Sequence, residues 1–253
     1  MPKKLIFVRH GHTANNSTDH KENRLMGWAK DDTGLSEQGV KDAQTTAAKL
    51  TTYQIDSIYY SDLLRTSETA HIITSTLGLD GEPTHLLRER NLGNFAGLTS
   101  HEIKTTRPGD WDKFLDHHDL DWNGLEGESL RHVHERFANL LQHLHSNHTD
   151  QTILLVTHSG YLHTILRDHF EFFPKESFQE VGHSSITVLE KTISSYRLAL
   201  YNTWQFVIRY NGHNDKRLRR ESPINPSPKR SFTFSDHRRP PAGTRLTACH
   251  ARW

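Results

Sequence analysis

Three short runs, Lys4–Val8, Asp56–Tyr60 and Gln151–Val156, constrain this chain more than anything else in it. Each is dominated by aliphatic, β-branched or aromatic residues and is too short to be a core helix. Each suits a strand of a parallel sheet that is covered on both faces. Between them the apolar spacing becomes helical: Val40, Ala43, Ala47 and Leu50 recur at i, i+3, i+7 and i+10. Leu63, Thr66, Ala70, Ile73 and Leu77 keep a similar stripe. Leu130, Val133, Phe137, Leu140, Leu141 and Leu144 line a third helix, with Glu135, Arg136 and Gln142 read as facing away from the core. Tyr161, Leu162, Ile165 and Leu166 suggest another helix, and Ser185–Glu190, Tyr196–Tyr201 and Trp204–Arg209 read as later strands. Alternation of strand and helix predicts an α/β fold.

A length of 253 residues accommodates one such domain with an appendage. No run approaches the roughly 20 apolar residues that a membrane span requires, so no membrane partner is expected. Met1–Lys4 carries a basic pair, but the apolar stretch after it is too short for a signal peptide and reads as the first strand. The only cysteine, Cys249, has no partner for an intramolecular disulfide, which fits a cytoplasmic location. The near-neutral net charge of +1 hides an asymmetry, because Gly212–Trp253 holds 10 Lys/Arg against 3 Asp/Glu. With Pro223, Pro226, Pro228, Pro240 and Pro241 and little apolar content, residues 212–253 are expected to form a disordered basic tail behind a catalytic domain over 1–211. The irregular stretch 100–127 mixes Trp111, Phe114 and Trp122 with aspartates. It reads either as a lid over a site or as a surface excursion packed by its own aromatics.

The chemistry-bearing residues fall where these strands end, the usual location of sites in α/β proteins. Arg9-His10-Gly11 closes the first strand: an unprotonated imidazole nitrogen of His10 could attack phosphorus, Arg9 supplies planar donors to phosphate oxygens, and Gly11 permits close backbone approach. Thr13 and Asn16 could add neutral donors. Arg65 falls in the first turn of the helix after the second strand, off its apolar stripe, as a second phosphate ligand or simply a solvated arginine. His158, at the end of the Gln151–Val156 strand, could donate to a phosphoryl oxygen. Glu89, flanked by Arg88 and Arg90, could protonate a departing alkoxide or be an ordinary surface ion pair. Among 20 histidines, position rather than residue type singles out His10 and His158.

These motifs, in this order, resemble the histidine phosphatase superfamily, which includes cofactor-dependent phosphoglycerate mutases and fructose-2,6-bisphosphatases, over about Lys4–Arg209. Arg24–Trp28, Leu35–Gly39 and Gly127-Glu128-Ser129 also resemble family segments, those that lead into its helices. The resemblance implies a three-layer α/β/α fold with a mostly parallel sheet. It implies catalysis by His10, Glu89 and His158, and phosphate binding by Arg9, Asn16 and Arg65, to which the residues themselves add Thr13 as a candidate donor, with no cofactor and no metal. His12 stands where many members carry an acidic residue, a departure that bears on specificity.

A mutase must shield its phosphoenzyme from water, and mutases of the family carry a longer basic and aromatic stretch after the proton donor. Here Gly93–Gly97 runs directly into Leu98-Thr99-Ser100, which favours a phosphatase, with mutase-type transfer as the alternative. The stretch from Asp110 to Glu128 has seven acidic residues and one basic, Lys113. As a lid it would repel bisphosphates and favour small monophosphates with a neutral or apolar leaving group, which Trp111 and Trp122 could contact. The expected partner is therefore a small phosphorylated metabolite, and a homodimer is the candidate assembly. A different class, a phosphate- or nucleic-acid-binding protein acting through Arg217, Arg219, Arg220, Lys229, Arg230, Arg238 and Arg239, rests on the tail alone.

Overall fold

A computed structural model describes residues 1–16, 23–28, 32–115, 119–123, 126–174 and 181–203, Leu115 by its backbone only. The elements in chain order are β1 (Lys4–Arg9), α1 (Glu37–Leu50), β2 (Ser57–Ser61), α2 (Leu64–Leu77), β3 (Gly81–Thr84), α3 (Ser100–Thr106) and α4 (Pro108–Leu115). They continue with α5 (Leu130–Asn147), β4 (Thr152–Thr157), α6 (Ser159–Thr164), β5 (Ile186–Lys191) and β6 (Tyr196–Leu200). The strand expected over Trp204–Arg209 and the tail 212–253 lie outside the described residues.

The six strands form one sheet in the order β3-β2-β4-β1-β5-β6. β1, β2, β3 and β4 are parallel, whereas β5 runs antiparallel to β1 and β6 antiparallel to β5. The period-2 geometry of strands explains why the short apolar runs are so uniformly hydrophobic. Leu5, Phe7, Tyr59, Ile153 and Leu155 face a layer built from Val133, Phe137, Leu140 and Leu144 of α5 and Tyr161 and Leu162 of α6. Ile6, Val8, Ile58, Tyr60, Leu154 and Val156 face the opposite layer, with Ala47 and Leu50 of α1 and Ala70 and Ile73 of α2. The result is the three-layer α/β/α arrangement, and each large aliphatic side chain fully buried in it contributes about 1.5–3 kcal/mol. Among the described residues no helix is long and apolar enough to cross a membrane.

Helix boundaries follow from capping chemistry. Ser36 caps α1 by accepting from the Gly39 N–H at 3.1 Å, and Gly78 ends α2 in the left-handed conformation at φ 65°. Ser129, in the Gly127-Glu128-Ser129 segment, caps α5 by accepting from the His132 N–H.

Three features depart from the sequence reading. β3 has no apolar signature because it is an edge strand carrying Pro83, with Glu82 and Pro83 exposed. The stretch 100–127 contains α3 and α4, too short to show a hydrophobic period: Ile103 is the buried residue of α3, which a Thr99/Glu102 capping box starts. Around them Trp111, Phe114 and Trp122 pack on Leu92, Phe95 and Ile103. Finally, Arg136 does not face away from α5 but folds inward against Glu128, at 2.7 Å.

Candidate active site

The carboxyl ends of β1, β4 and β2 lie side by side and bring His10, His158 and Ser61 together. His10 follows β1 directly and is 5 % exposed. Its backbone N–H extends the pairing to β4 by donating to the Thr157 carbonyl at 2.9 Å. Its Nδ1 lies 2.8 Å from the carbonyl oxygen of Gly11. A carbonyl only accepts, so Nδ1 carries the hydrogen and Nε2 keeps the lone pair. Burial, then the charges of Arg65 and Arg9, hold the His10 pKa well below the usual imidazole range, so the ring stays neutral and nucleophilic.

His158 is fully buried, with its ring centroid 5.2 Å from that of His10. Its Nε2 lies 2.9 Å from Ser61 Oγ, and its Nδ1 is buried without a partner among the described residues. Burial and Arg65 depress its pKa as well.

Arg65 is 3 % exposed, on the buried side of α2 with Thr66 and Thr69 rather than off it. Its Nη1 pairs with the Asp32 carboxylate and its Nη2 donates to the Gly27 carbonyl at 3.0 Å. The guanidinium is thus aimed by a carboxylate and a backbone carbonyl. Arg9 donates through Nη1 to the Val181 carbonyl at 2.5 Å and through Nη2 to His183 Nε2 at 2.7 Å. Thr13 donates to Asn16 Oδ1 from both its backbone N–H and its hydroxyl, at 3.2 and 2.9 Å, which leaves the Asn16 amide hydrogens as the donors this loop can offer. His12 lies within the same loop's framework, with Nδ1 2.9 Å from Ser36 Oγ and Nε2 2.7 Å from the Asn16 carbonyl. Gly11 does permit a close approach, but to α1: a Cβ there would meet the Gly39 carbonyl oxygen at 2.7 Å.

Glu89 meets the first turn of α6. Its Oε2 accepts from the Gly160 N–H at 3.0 Å, and its Oε1 accepts from the Tyr161 and Arg90 N–H groups at 2.7 and 2.9 Å. A carboxylate has about four lone-pair directions, so Oε2, with one donor, keeps a place for a proton. The segment bearing Glu89 is clamped from outside: Trp28 Nε1 donates to the Glu89 carbonyl at 2.6 Å and Arg136 Nη1 to the Leu86 carbonyl at 2.9 Å. Glu128 binds Arg136 and also accepts from the Asn91 N–H at 2.9 Å.

Sequence reasoning missed Ser61, Asp32 and His183. Ser61 ends its strand as His10 and His158 follow theirs, and the same positional signal could have found it. His183 leads into β5, whose antiparallel pairing brings its start beside the end of β1, a direction the sequence does not display. The His183 ring lies 5.8 Å from that of His10 and 5.3 Å from that of His12. Burial, then Arg9, lowers its pKa to about 2.

These depressed histidines make stability depend on pH. Unfolded, each titrates near 6.5. Below that value the unfolded chain binds protons that buried His10, His158 and His183 refuse, so the stabilisation is complete above about pH 6.5 and declines as pH falls toward the depressed values. Thermal unfolding is expected at a lower Tm at about pH 5 than at about pH 7, with a smaller difference in a His183→Asn variant. A Tm that does not change over that range contradicts the burial of neutral imidazoles.

The profile of the histidine phosphatase superfamily (branch 1) matches residues 5–203. The chain belongs to this superfamily. This histidine phosphatase, a phosphoric monoester hydrolase, is 35% identical over 164 residues to Phosphoglycerate mutase-like protein 4 of Arabidopsis thaliana, covering 64% of this chain and 68% of that one. It is 31% identical over 157 residues to Phosphoserine phosphatase 1 of Hydrogenobacter thermophilus, covering 62% of this chain and 71% of the relative. Its fold matches a mycobacterial glucosyl-3-phosphoglycerate phosphatase, solved as a complex with VO3, at a TM-score of 0.69 and 29% identity, over 79% of this chain and 98% of that one.

Proposed function

We propose that the enzyme hydrolyses small phosphate monoesters through a phosphohistidine formed at His10 Nε2. The observation that carries this reading is the fixed tautomer of His10, which presents a lone pair beside a buried His158 Nδ1 that has no partner among the described residues. In the first step the Nε2–P bond forms and the ester P–O bond breaks, while a proton passes from the Glu89 carboxyl to the leaving oxygen. In the second, Glu89 takes a proton from water as its oxygen attacks phosphorus, the P–N bond breaks, and inorganic phosphate and free His10 result. Arg9, Arg65, Asn16 and His158 serve the transferring oxygens as charged or neutral donors, while Thr13, expected as a further donor, gives both of its hydrogens to Asn16 Oδ1 and so turns the Asn16 amide hydrogens outward. No step in this scheme calls on a metal ion, and we place the enzyme in the cytoplasm, in keeping with a chain that has one cysteine.

Hydrolysis rather than transfer is supported by the short path after Glu89. Gly93 and Gly97 adopt positive φ of 52° and 83°, and Thr99 already caps α3, so the chain spends few residues near the site. The substrate is a small monophosphate, in line with relatives named for phosphoserine and glucosyl-3-phosphoglycerate. The acidic stretch 110–128 disfavours bisphosphates, though less than its composition suggests. Arg131 binds Asp121 and Arg136 binds Glu128, while Asp112, Asp119 and Glu126 remain exposed. Comparison of kcat/KM across phosphorylated metabolites is expected to rank monophosphates above a sugar bisphosphate, and the reverse ranking would overturn this assignment.

A further inference from the structure

We infer that Ser61 is a positioning residue that fixes the tautomer of His158, so that His158 offers Nδ1–H to the transferring phosphoryl group. The inference rests on the reading that His158 contacts that group. Ser61 Oγ is fully buried at the end of β2, 2.9 Å from His158 Nε2, and accepts from the Leu63 N–H at 3.4 Å.

Two neutral tautomers of His158 compete. If Nε2 carried the hydrogen, Ser61 Oγ would accept from both Leu63 and His158. Its own buried hydroxyl hydrogen would then lack an acceptor among the described residues, and the Nδ1 lone pair would stand buried and unpaired. If Nδ1 carries it, the Ser61 hydroxyl donates to Nε2 while its oxygen accepts from Leu63, and one donor, Nδ1–H, is left for an incoming oxygen. A buried polar group without a partner is costly, so the count selects the second tautomer. Burial and the nearby Arg65 keep the ring from taking a second proton that would satisfy both nitrogens.

Both rings carry the hydrogen on Nδ1, but His10 spends it on the Gly11 carbonyl and shows a lone pair, whereas His158 spends its Nε2 lone pair on Ser61 and shows a donor. The nitrogen that the protein ties down decides which imidazole attacks and which one holds the oxygens.

The test uses the full chain with ¹⁵N-labelled histidine and four variants: Ser61→Ala, Ser61→Thr, His158→Ala and Ser61→Ala combined with His158→Ala. Long-range ¹H–¹⁵N spectra, with the His158 signals assigned by their loss in His158→Ala, should show Nδ1–H in the wild type and a mixture of tautomers in Ser61→Ala. Loss of one buried hydrogen bond should lower kcat about tenfold, with recovery in Ser61→Thr and no further loss when Ser61→Ala is added to His158→Ala. An Nε2–H tautomer in the wild type, or a Ser61→Ala effect that persists undiminished without His158, overturns the inference. Near-normal turnover in His158→Ala would instead remove the premise that His158 touches the phosphoryl group.

Discussion

Replacing His10 with alanine is expected to lower kcat for any phosphate monoester by at least about 10⁴-fold, in the presence of a chelator as much as without one. The size follows from the role: among the described residues the neighbouring imidazoles spend Nε2 lone pairs elsewhere, His158 on Ser61 and His183 on Arg9, the arginines carry only donors, and the open lone pair of Glu89 serves the proton transfer. The variant should still fold, since removing a buried imidazole deletes a polar group held by one hydrogen bond to the neighbouring Gly11 carbonyl. Steady-state assays of the purified variant with an aryl phosphate, alongside its thermal unfolding, separate lost chemistry from lost structure. Activity that survives in a folded His10→Ala protein would place the nucleophile elsewhere.

The second large effect is at Glu89. An alkoxide departs poorly until it is protonated, whereas a nitrophenolate departs without help. Glu89→Gln should therefore cost about 10²–10⁴-fold in kcat for an alkyl monoester and far less for an activated aryl phosphate. Glutamine also disturbs the site locally, because its amide NH₂ would face at least one of the N–H donors of Gly160, Tyr161 and Arg90 that the carboxylate now accepts from. That disturbance lowers both rates alike, so the ratio between the two substrates reports the proton transfer. Equal losses on both would make Glu89 a structural anchor of the first turn of α6 and not the acid. With the aryl phosphate, slowed attack of water in the variant should let phosphoenzyme accumulate as a rapid burst of phenolate.

Much of the fold was legible because its central strands are buried on both faces, and Lys4–Val8 and Gln151–Val156 can satisfy that only by being apolar throughout. The helices that cover them, α1, α2 and α5, each bury one long stripe and so displayed their period. β3 and α3 were not legible for the converse reason: Gly81–Thr84 sits at an edge with Glu82 and Pro83 exposed, and α3 buries a single side chain, Ile103. In the site, the strand-end rule located His10 and His158 because each follows a strand whose pattern was plain. The rule says nothing about how a side chain is held. Asp32 reaches Arg65 across 33 positions and Arg136 reaches the Leu86 carbonyl across 50, and contacts of that range depend on the folded arrangement and not on local pattern. Arg136 was misread as facing outward because its charge outweighed its place beside the buried stripe. In the structure its guanidinium donates to the Leu86, Arg88 and Glu89 carbonyls of the loop that carries Glu89.

The central claim, that the phosphoryl group passes through His10, is tested most directly by acid-free quenching of the enzyme with an aryl phosphate, followed by mapping of phosphorylated peptides by mass spectrometry. The prediction is one phosphoryl group on His10 in the wild type, more of it in Glu89→Gln, and none in His10→Ala. A phosphoryl group on another residue, or one that persists in His10→Ala, would contradict the account.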